Sequence, residues 1–259
     1  GVRALLVAAV DGLPASSGAD QATAMFARAN AALADHDLRY VQVIRTWIYF
    51  AQLPLWYDDF NQVRTAHHLR EAIAADAMPA STGIQGRSGQ AACFMDVLAV
   101  DLAADGPLSA TPIRRTARQD GAFSYGSAFS RGMIWQAGAG RTVFVSGTAS
   151  IDAAGDTVYI GNVEAQTFET LMALGGVIAE AGGCIEDIRM ATVFCKTLEA
   201  YDAFQQVTSL LGIPRFPAIF AIGDVCRDDL LIEIEAVATC AVPGFLRDED
   251  QAVRDEDQQ

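Results

Sequence analysis

Pro217–Ala238, PAIFAIGDVCRDDLLIEIEAVA, is the stretch whose reading decides the fold. It holds two β-rich runs, Pro217–Gly223 and Leu230–Val237, separated by a polar turn, Asp224–Asp229. In the second run Glu233 and Glu235 stand two apart, so on a strand both carboxylates face one side. Leu231 shares their row, while Leu230, Ile232, Ile234 and Ala236 make the opposite one. Two acids in so apolar a strand lie either at a sheet edge in water or in a site, where partial burial raises a carboxyl pKa toward general-acid range. The pattern leaves both readings open. Cys226, in the turn just before, adds a candidate nucleophile or a polarisable wall.

Working outward, the elements ahead of this stretch repeat. Ala22, Met25, Phe26, Ala29 and Leu33 recur at helical spacing over Ala19–Ala34, with Ser16 or Ser17 as caps. A strand at Tyr40–Phe50 follows, then a helix over about Leu55–Ala75 after Pro54. PASTGIQG (Pro79–Gly86) reads as a turn or short strand, and Ala92–Leu102 as a buried strand. The order returns as helix Val163–Ala181, strand Ile188–Thr197, helix Leu198–Leu211 and the strand pair above. A shift of 144 residues matches Ile44-Arg45 with Ile188-Arg189, Tyr57-Asp58 with Tyr201-Asp202, Phe60 with Phe204 and Gln62-Val63 with Gln206-Val207. Two copies of one α/β (α+β) unit in tandem account for this. The second copy is preceded by a hairpin, Arg141–Ser150 turning at Asp152–Asp156 into Thr157–Ile160, which the first lacks, so the first unit is expected to be incomplete. Asp105–Thr116 reads as a linker, giving units at 1–112 and 117–245 and a tail at 246–259.

Composition narrows the partners. With 18 Lys and Arg against 32 Asp and Glu the net charge is −14, which argues against nucleic acid, whose phosphates need clustered cations. Part of the excess, six acids against two Arg, lies in Arg247–Gln259, where RDEDQ occurs twice and disorder is expected. Lys196 is the single lysine, so the positive charge is almost all Arg, the residue that holds carboxylates bidentately. Five cysteines without a CxxC pair read as reduced thiols. No apolar run is long enough to span a bilayer, and a cytoplasmic protein without a membrane partner is expected. The chain starts at Gly1, as a processed or internal start would.

Three segments offer chemistry. YGSAFSR (Tyr125–Arg131) sets an aromatic, two hydroxyls and an Arg within seven residues, either as a carboxylate-binding loop or as plain surface. Arg215, between Pro214 and Phe216, and Arg227, beside Cys226, are further Arg candidates. Thr82 and Gln85 in PASTGIQG offer neutral hydrogen bonds, but the spacing fits no phosphate loop. The three histidines, His36, His67 and His68, form neither a zinc set nor a triad, so no metal is expected.

The second unit, ending in IEIEAVA, resembles the YjgF-like (RidA) fold over about Phe129–Val242, and the first resembles it more faintly. The Arg that YjgF-like imine deaminases carry after the penultimate strand's Pro-Ala is replaced here, since Ile219-Phe220 follow Pro217-Ala218. RTWIYF (Arg45–Phe50), FNQVR (Phe60–Arg64), PASTGIQG, YGSAFSRG (Tyr125–Gly132), SGTASID (Ser146–Asp152) and GDVCRDDLLIEIEA (Gly223–Ala236) together resemble, in order, the blocks of the chorismatase family. The resemblance implies two YjgF/RidA-like (chorismate-mutase-like) sheet-plus-helix units, no cofactor, and chorismate as substrate. It implies Glu233 as general acid, with Glu235 the lesser candidate; Arg131 and Arg215 on the carboxylates, with Tyr125 and Thr148 lining the pocket, are expected from their chemistry and motif position. Cys226 and the small Gly132 resemble the branch that forms 3-hydroxybenzoate, with some 4-hydroxybenzoate, rather than the hydrolase branch that forms a dihydroxycyclohexadiene acid. A non-catalytic binding protein and an imine or enol hydrolase are the rival readings. YjgF-like relatives imply a homotrimer with pockets between subunits and the second unit supplying the contact.

Overall fold

Each unit folds as a mixed sheet with two helices on one face, and the computed structural model describes residues 3–102, 108–138 and 140–241. The first unit comprises β1 (Arg3–Asp11), α1 (Gly18–Ala34), β2 (Val43–Phe50), α2 (Leu53–Arg70), β3 (Ala80–Gln85) and β4 (Cys93–Asp101). The second comprises β5 (Leu108–Ile113), β6 (Gly132–Ala137), β7 (Gly140–Ala149), α3 (Val163–Ala179), β8 (Ile188–Cys195), α4 (Leu198–Leu210), β9 (Ala218–Ile222) and β10 (Ile232–Ala241). The first sheet runs β1-β4-β2-β3 and the second β5-β6-β7-β10-β8-β9, so the first order recurs as β7-β10-β8-β9. In each sheet the one parallel pair, β2–β3 or β8–β9, is bridged by a helix, as parallel neighbours require.

Local chemistry explains the helices. Ser17 caps α1 by accepting from the Asp20 amide at 3.1 Å, and Ala22, Met25, Phe26, Ala29 and Leu33 bury the resulting stripe. Asn162 and Thr197 cap α3 and α4 in the same way. The helix-facing rows of the two sheets fill separate cores, one around Phe26, Ile48, Phe60 and Met95, the other around Leu174, Val193, Phe204 and Ile234. The opposite rows meet each other through Ile44, Ala80, Val100, Met133 and Phe144. Among the described residues no helix is long and apolar enough to cross a membrane.

The repeat is real, but its register differs from the expected one. The starts of α1 and α3 (Gly18, Val163), of β2 and β8 (Val43, Ile188) and of α2 and α4 (Leu53, Leu198) lie 145 residues apart. Ile48 and Val193, also 145 apart, both face helices, whereas Ile44 faces the other sheet and Ile188 the helices. The Ile44-Arg45 match to Ile188-Arg189 is therefore one residue out, and on a strand one residue exchanges the faces. Phe60 and Phe204 are buried equivalents at 144, because α2 holds one extra residue at Trp56, where the helix breaks (φ −149°, ψ 20°).

Three further expectations are corrected. Leu108–Ile113, within the expected linker, is a strand paired to β6, so Pro112 sits at the sheet's outer edge. The hairpin partner of β7 is β6 upstream, while Thr157–Ile160 makes only an isolated bridge from Thr157 to Ile151. The first unit does have a counterpart of β7, namely β1, and among the described residues only the outer strands β5 and β6 have no counterpart in it. The acidic tail at 246–259 lies outside the described residues.

Candidate active site

Glu233 is placed by its strand. In β10, Ile232 and Ile234 point into the helix-side core, which turns Glu233 toward the first unit, opposite Ala149 of β7 and Phe194 of β8. There it is 4% exposed, and its Oε2 has no hydrogen-bond partner among the described residues. Burial, with the Glu235 charge adding to it and Arg45 opposing, pushes its carboxyl up to about 8. At neutral pH Glu233 thus carries its proton. Its seat is Gly147, at an irregularity in β7, where any Cβ would overlap Glu233 Oε1.

Glu235 faces the same way but is engaged. Its Oε2 lies 2.6 Å from Nη2 of Arg45 of β2, and the guanidinium stacks 4.8 Å from the Trp47 ring. Arg45 also donates to Thr82 Oγ1 at 2.5 Å, and that oxygen accepts from the Gly147 amide at 3.0 Å. Thr82 of the first unit thereby holds the backbone on which Glu233 of the second rests.

The cavity around Glu233, about 50 Å³, is walled by both units: Tyr57, Arg64, Ser81 and Gly83 from the first, and Tyr125, Phe129, Arg131, Gly147, Cys226 and Arg227 among those from the second. Arg131 is buried, and its Nε and Nη2 donate to the Asp120 carbonyl at 2.9 and 2.8 Å. Arg64, also buried, donates from Nη2 to Asn61 Oδ1 at 2.5 Å and lies between the Phe60 and Phe129 rings. Tyr125 is flanked by Arg131 at 5.3 Å and Arg227 at 5.7 Å, its ring lying against Gly155, whose φ of +90° suits only glycine there. Burial, and next the Glu233 charge, pushes the Cys226 thiol up to about 12, so it is a neutral thiol. The loop carrying Cys226 and Arg227 is pinned by the Asp224 amide to Gln85 Oε1 at 2.5 Å and by Thr157 to Asp229 at 2.9 Å. Outside it lies an open vestibule of about 550 Å³, which shares Tyr57, Tyr125, Ser127, Cys226 and Arg227 with the cavity.

Of the residues expected from sequence, Glu233, Cys226, Arg131 and Tyr125 come together here, with Arg227 at the mouth, while Glu235 stands beside them in its ion pair. Three do not. Thr148 pairs with Ile234 and so lies on the helix side of the sheet. Gly132 faces Val177 of α3, where a Cβ would come within 2.9 Å, so its smallness serves helix packing. Arg215 is exposed in a separate groove between α4 and β9. Sequence reasoning missed Arg64, Tyr57, Ser81 and Gly147. Arg64 had a signal, since it follows Phe60 by four and precedes His68 by four, a cation on the buried face of α2. His67 and His68 pack with Phe26 and Tyr40 in the first unit's core, away from the cavity. Among the described residues no group of His, Cys, Asp and Glu is arranged to hold a metal.

Residues 123–240 match the family model for endoribonuclease L-PSP. The chain is 31% identical over 101 residues to the 3-aminoacrylate deaminase RutC of Acinetobacter baylyi, an alignment covering 39% of this chain and 80% of that protein. The chain therefore belongs to the endoribonuclease L-PSP family, the YjgF/RidA-like proteins. A solved structure of a chorismatase superposes with a TM-score of 0.73 at 22% identity, covering 92% of this chain and 74% of that one. The likeness extends the shared fold across both units.

Proposed function

We propose that the chain is a chorismatase, converting chorismate to 3-hydroxybenzoate, with some 4-hydroxybenzoate, and pyruvate. The observation that carries this reading is Glu233, a protonated carboxyl with one oxygen unpartnered, in a small cavity that also holds Arg64 and Arg131. A dianionic substrate with an acid-labile enol ether needs those parts: cations for its carboxylates and a proton source kept dry. Glu233 gives its proton to the enolpyruvyl methylene, an oxocarbenium ion forms, and the ether C–O bond to the ring breaks as pyruvate leaves. In the synthase course the attacking oxygen comes from the substrate itself and a ring proton is lost, so no water is consumed. Arg131 and Arg64 hold the carboxylates and Tyr125 lines the ring.

Cys226 supports the aromatic product over the hydrolytic one, because a neutral thiol forms a wall that neither activates nor delivers water. About 50 Å³ holds only about four water-sized positions. Substrate entry therefore widens the ring of Tyr57, Tyr125, Ser127, Cys226 and Arg227 toward the vestibule. The superposition with a chorismatase supplies the precedent for this chemistry on this fold. The likeness to a 3-aminoacrylate deaminase favours a second reading, imine hydrolysis in the same cavity.

The test is to incubate the protein with chorismate, follow pyruvate and separate the ring products. Pyruvate with 3-hydroxybenzoate is expected, and Glu233→Gln is expected to lower the rate by about 10²- to 10⁴-fold. Pyruvate with a non-aromatic diol would place the chain in the hydrolase branch. Chorismate bound but unconsumed would leave a binding protein, and turnover of 3-aminoacrylate alone would favour the deaminase.

A further inference from the structure

The groove that holds Arg215 is the second unit's counterpart of the first-unit wall that faces Glu233. It is about 610 Å³, open to solvent, and lined among others by Tyr201, Phe204, Thr208, Arg215, Phe216 and Phe220. Its walls, α4 and β9, are the second unit's counterparts of α2 and β3, which wall the cavity from the first unit. Tyr201, Phe204 and Thr208 stand 144 residues after Tyr57, Phe60 and Arg64. In the first unit this wall is closed by Gly147 and Glu233 of the second; in the second unit nothing among the described residues closes it.

The chemistry has changed with the position. Where Arg64 brings a cation, Thr208 brings a hydroxyl that donates back to the Phe204 carbonyl at 2.7 Å. The groove's cation comes instead from Arg215 in the connection to β9, where Pro214 and Pro217 restrict the backbone on either side. Arg215 forms no ion pair among the described residues, in a chain with a net charge of −14. Phe204 meets Phe216 and Phe220 edge-on, at 6.3 and 5.3 Å between centroids, which leaves flat apolar walls beside the guanidinium. The closed cavity sets Arg64, Arg131 and Arg227 around one space, whereas this groove offers a single cation.

We propose that the groove between α4 and β9 is a second ligand site, taking a flat aromatic monocarboxylate with its carboxylate on Arg215 and its ring among Tyr201, Phe204, Phe216 and Phe220. One guanidinium answers one carboxylate, and edge-on aromatic walls answer a planar ring rather than a puckered one. The site stands whatever reaction the closed cavity performs.

The test is titration of the full chain with benzoate, followed by calorimetry and by saturation transfer from protein to ligand protons. Binding is expected to survive Arg131→Ala and Glu233→Gln, to weaken on the order of tenfold or more in Arg215→Ala, and to favour benzoate over cyclohexanecarboxylate. Arg215 is exposed, so its replacement leaves the fold intact, which circular dichroism checks. Unchanged affinity in Arg215→Ala, or loss in Arg131→Ala instead, would overturn the proposal. So would sedimentation showing an oligomer that dissociates on Gln205→Arg, a substitution on the groove's own wall, because the groove would then be covered by a second copy.

Discussion

Replacing Glu233 by Gln is expected to stabilise the protein while removing its activity, by an amount that depends on pH in a defined direction. Glu233 keeps its proton to about pH 8 in the fold, against an ordinary value of 4.5. Below pH 4.5 the side chain is neutral in both the folded and the unfolded chain and costs nothing. Between 4.5 and 8 the unfolded chain releases the proton and the folded one does not, so folding becomes less favourable as pH rises. At 1.36 kcal/mol per pH unit the penalty reaches about 5 kcal/mol above pH 8. Gln has the same shape and no proton to lose, so it escapes the penalty.

The assay is thermal unfolding of the wild type and Glu233→Gln at pH 5 and at pH 8.5. The two should melt within a few degrees of each other at pH 5, and at pH 8.5 the variant should lie above the wild type by up to about 10 to 20 °C for a chain of this size. A difference that is equal at the two pH values would refute the reasoning, because Glu233 would then titrate alike in the folded and unfolded states. A variant that melts below the wild type at both pH values would mean that Glu233 is instead held as a carboxylate, whose stabilisation is present throughout the range above pH 4.5.

Other perturbations follow from the same geometry. Gly147→Ala sets a methyl group on Glu233 Oε1, and is expected to cost about 1–3 kcal/mol in chemical denaturation and to abolish pyruvate release. Glu235→Gln removes the charge that raises Glu233 and frees Arg45 to lower it, so the pH above which pyruvate release declines should move down. Breaking the buried pair should also lower stability by about 3–5 kcal/mol in the same variant, read by urea titration. Cys226→Ala should leave pyruvate release within about tenfold but admit water, raising the share of non-aromatic product by chromatography; an unchanged product and rate would remove the role proposed for the thiol.

Much of the fold was legible because it is written in short-range patterns. The stripe of α1, its cap at Ser17 and the IEIEA alternation of β10 each sit within one element, and each appears where it was read. What failed required knowledge of partners. The identical Ile-Arg pairs drew the strands into a register one residue out, since only the packing of Ile48 and Val193 shows which row faces the helices. Leu108–Ile113 looked like linker because its proline sits on an edge strand, where no ladder bond is lost. Thr148 was expected in the pocket from its place in SGTASID, yet adjacent residues of a strand point to opposite faces, and it is Gly147 that lines the cavity. Arg64 was overlooked because its role depends on a sheet from the other unit.

The two units have diverged in complementary ways, which explains why one of two equivalent places became a closed cavity. Ile48 pairs with Met95, and its counterpart Val193 pairs with Ile234, so Glu233 corresponds to Phe94. Phe94 stacks on Tyr49 at 4.7 Å and offers no proton. Arg64 corresponds to Thr208, which offers no charge. The first unit thus adds the cation Arg64 to the Arg131 and Arg227 of the second, the second keeps the acid, and these groups meet where the first unit's edge faces the second unit's sheet. Separating them has a physical advantage. An Arg on the same strand row as Glu233, at contact distance, would draw its proton off, as Arg45 already does in part. Set across the cavity rather than in contact, Arg64 can face a bound carboxylate while Glu233 remains uncharged until a substrate arrives.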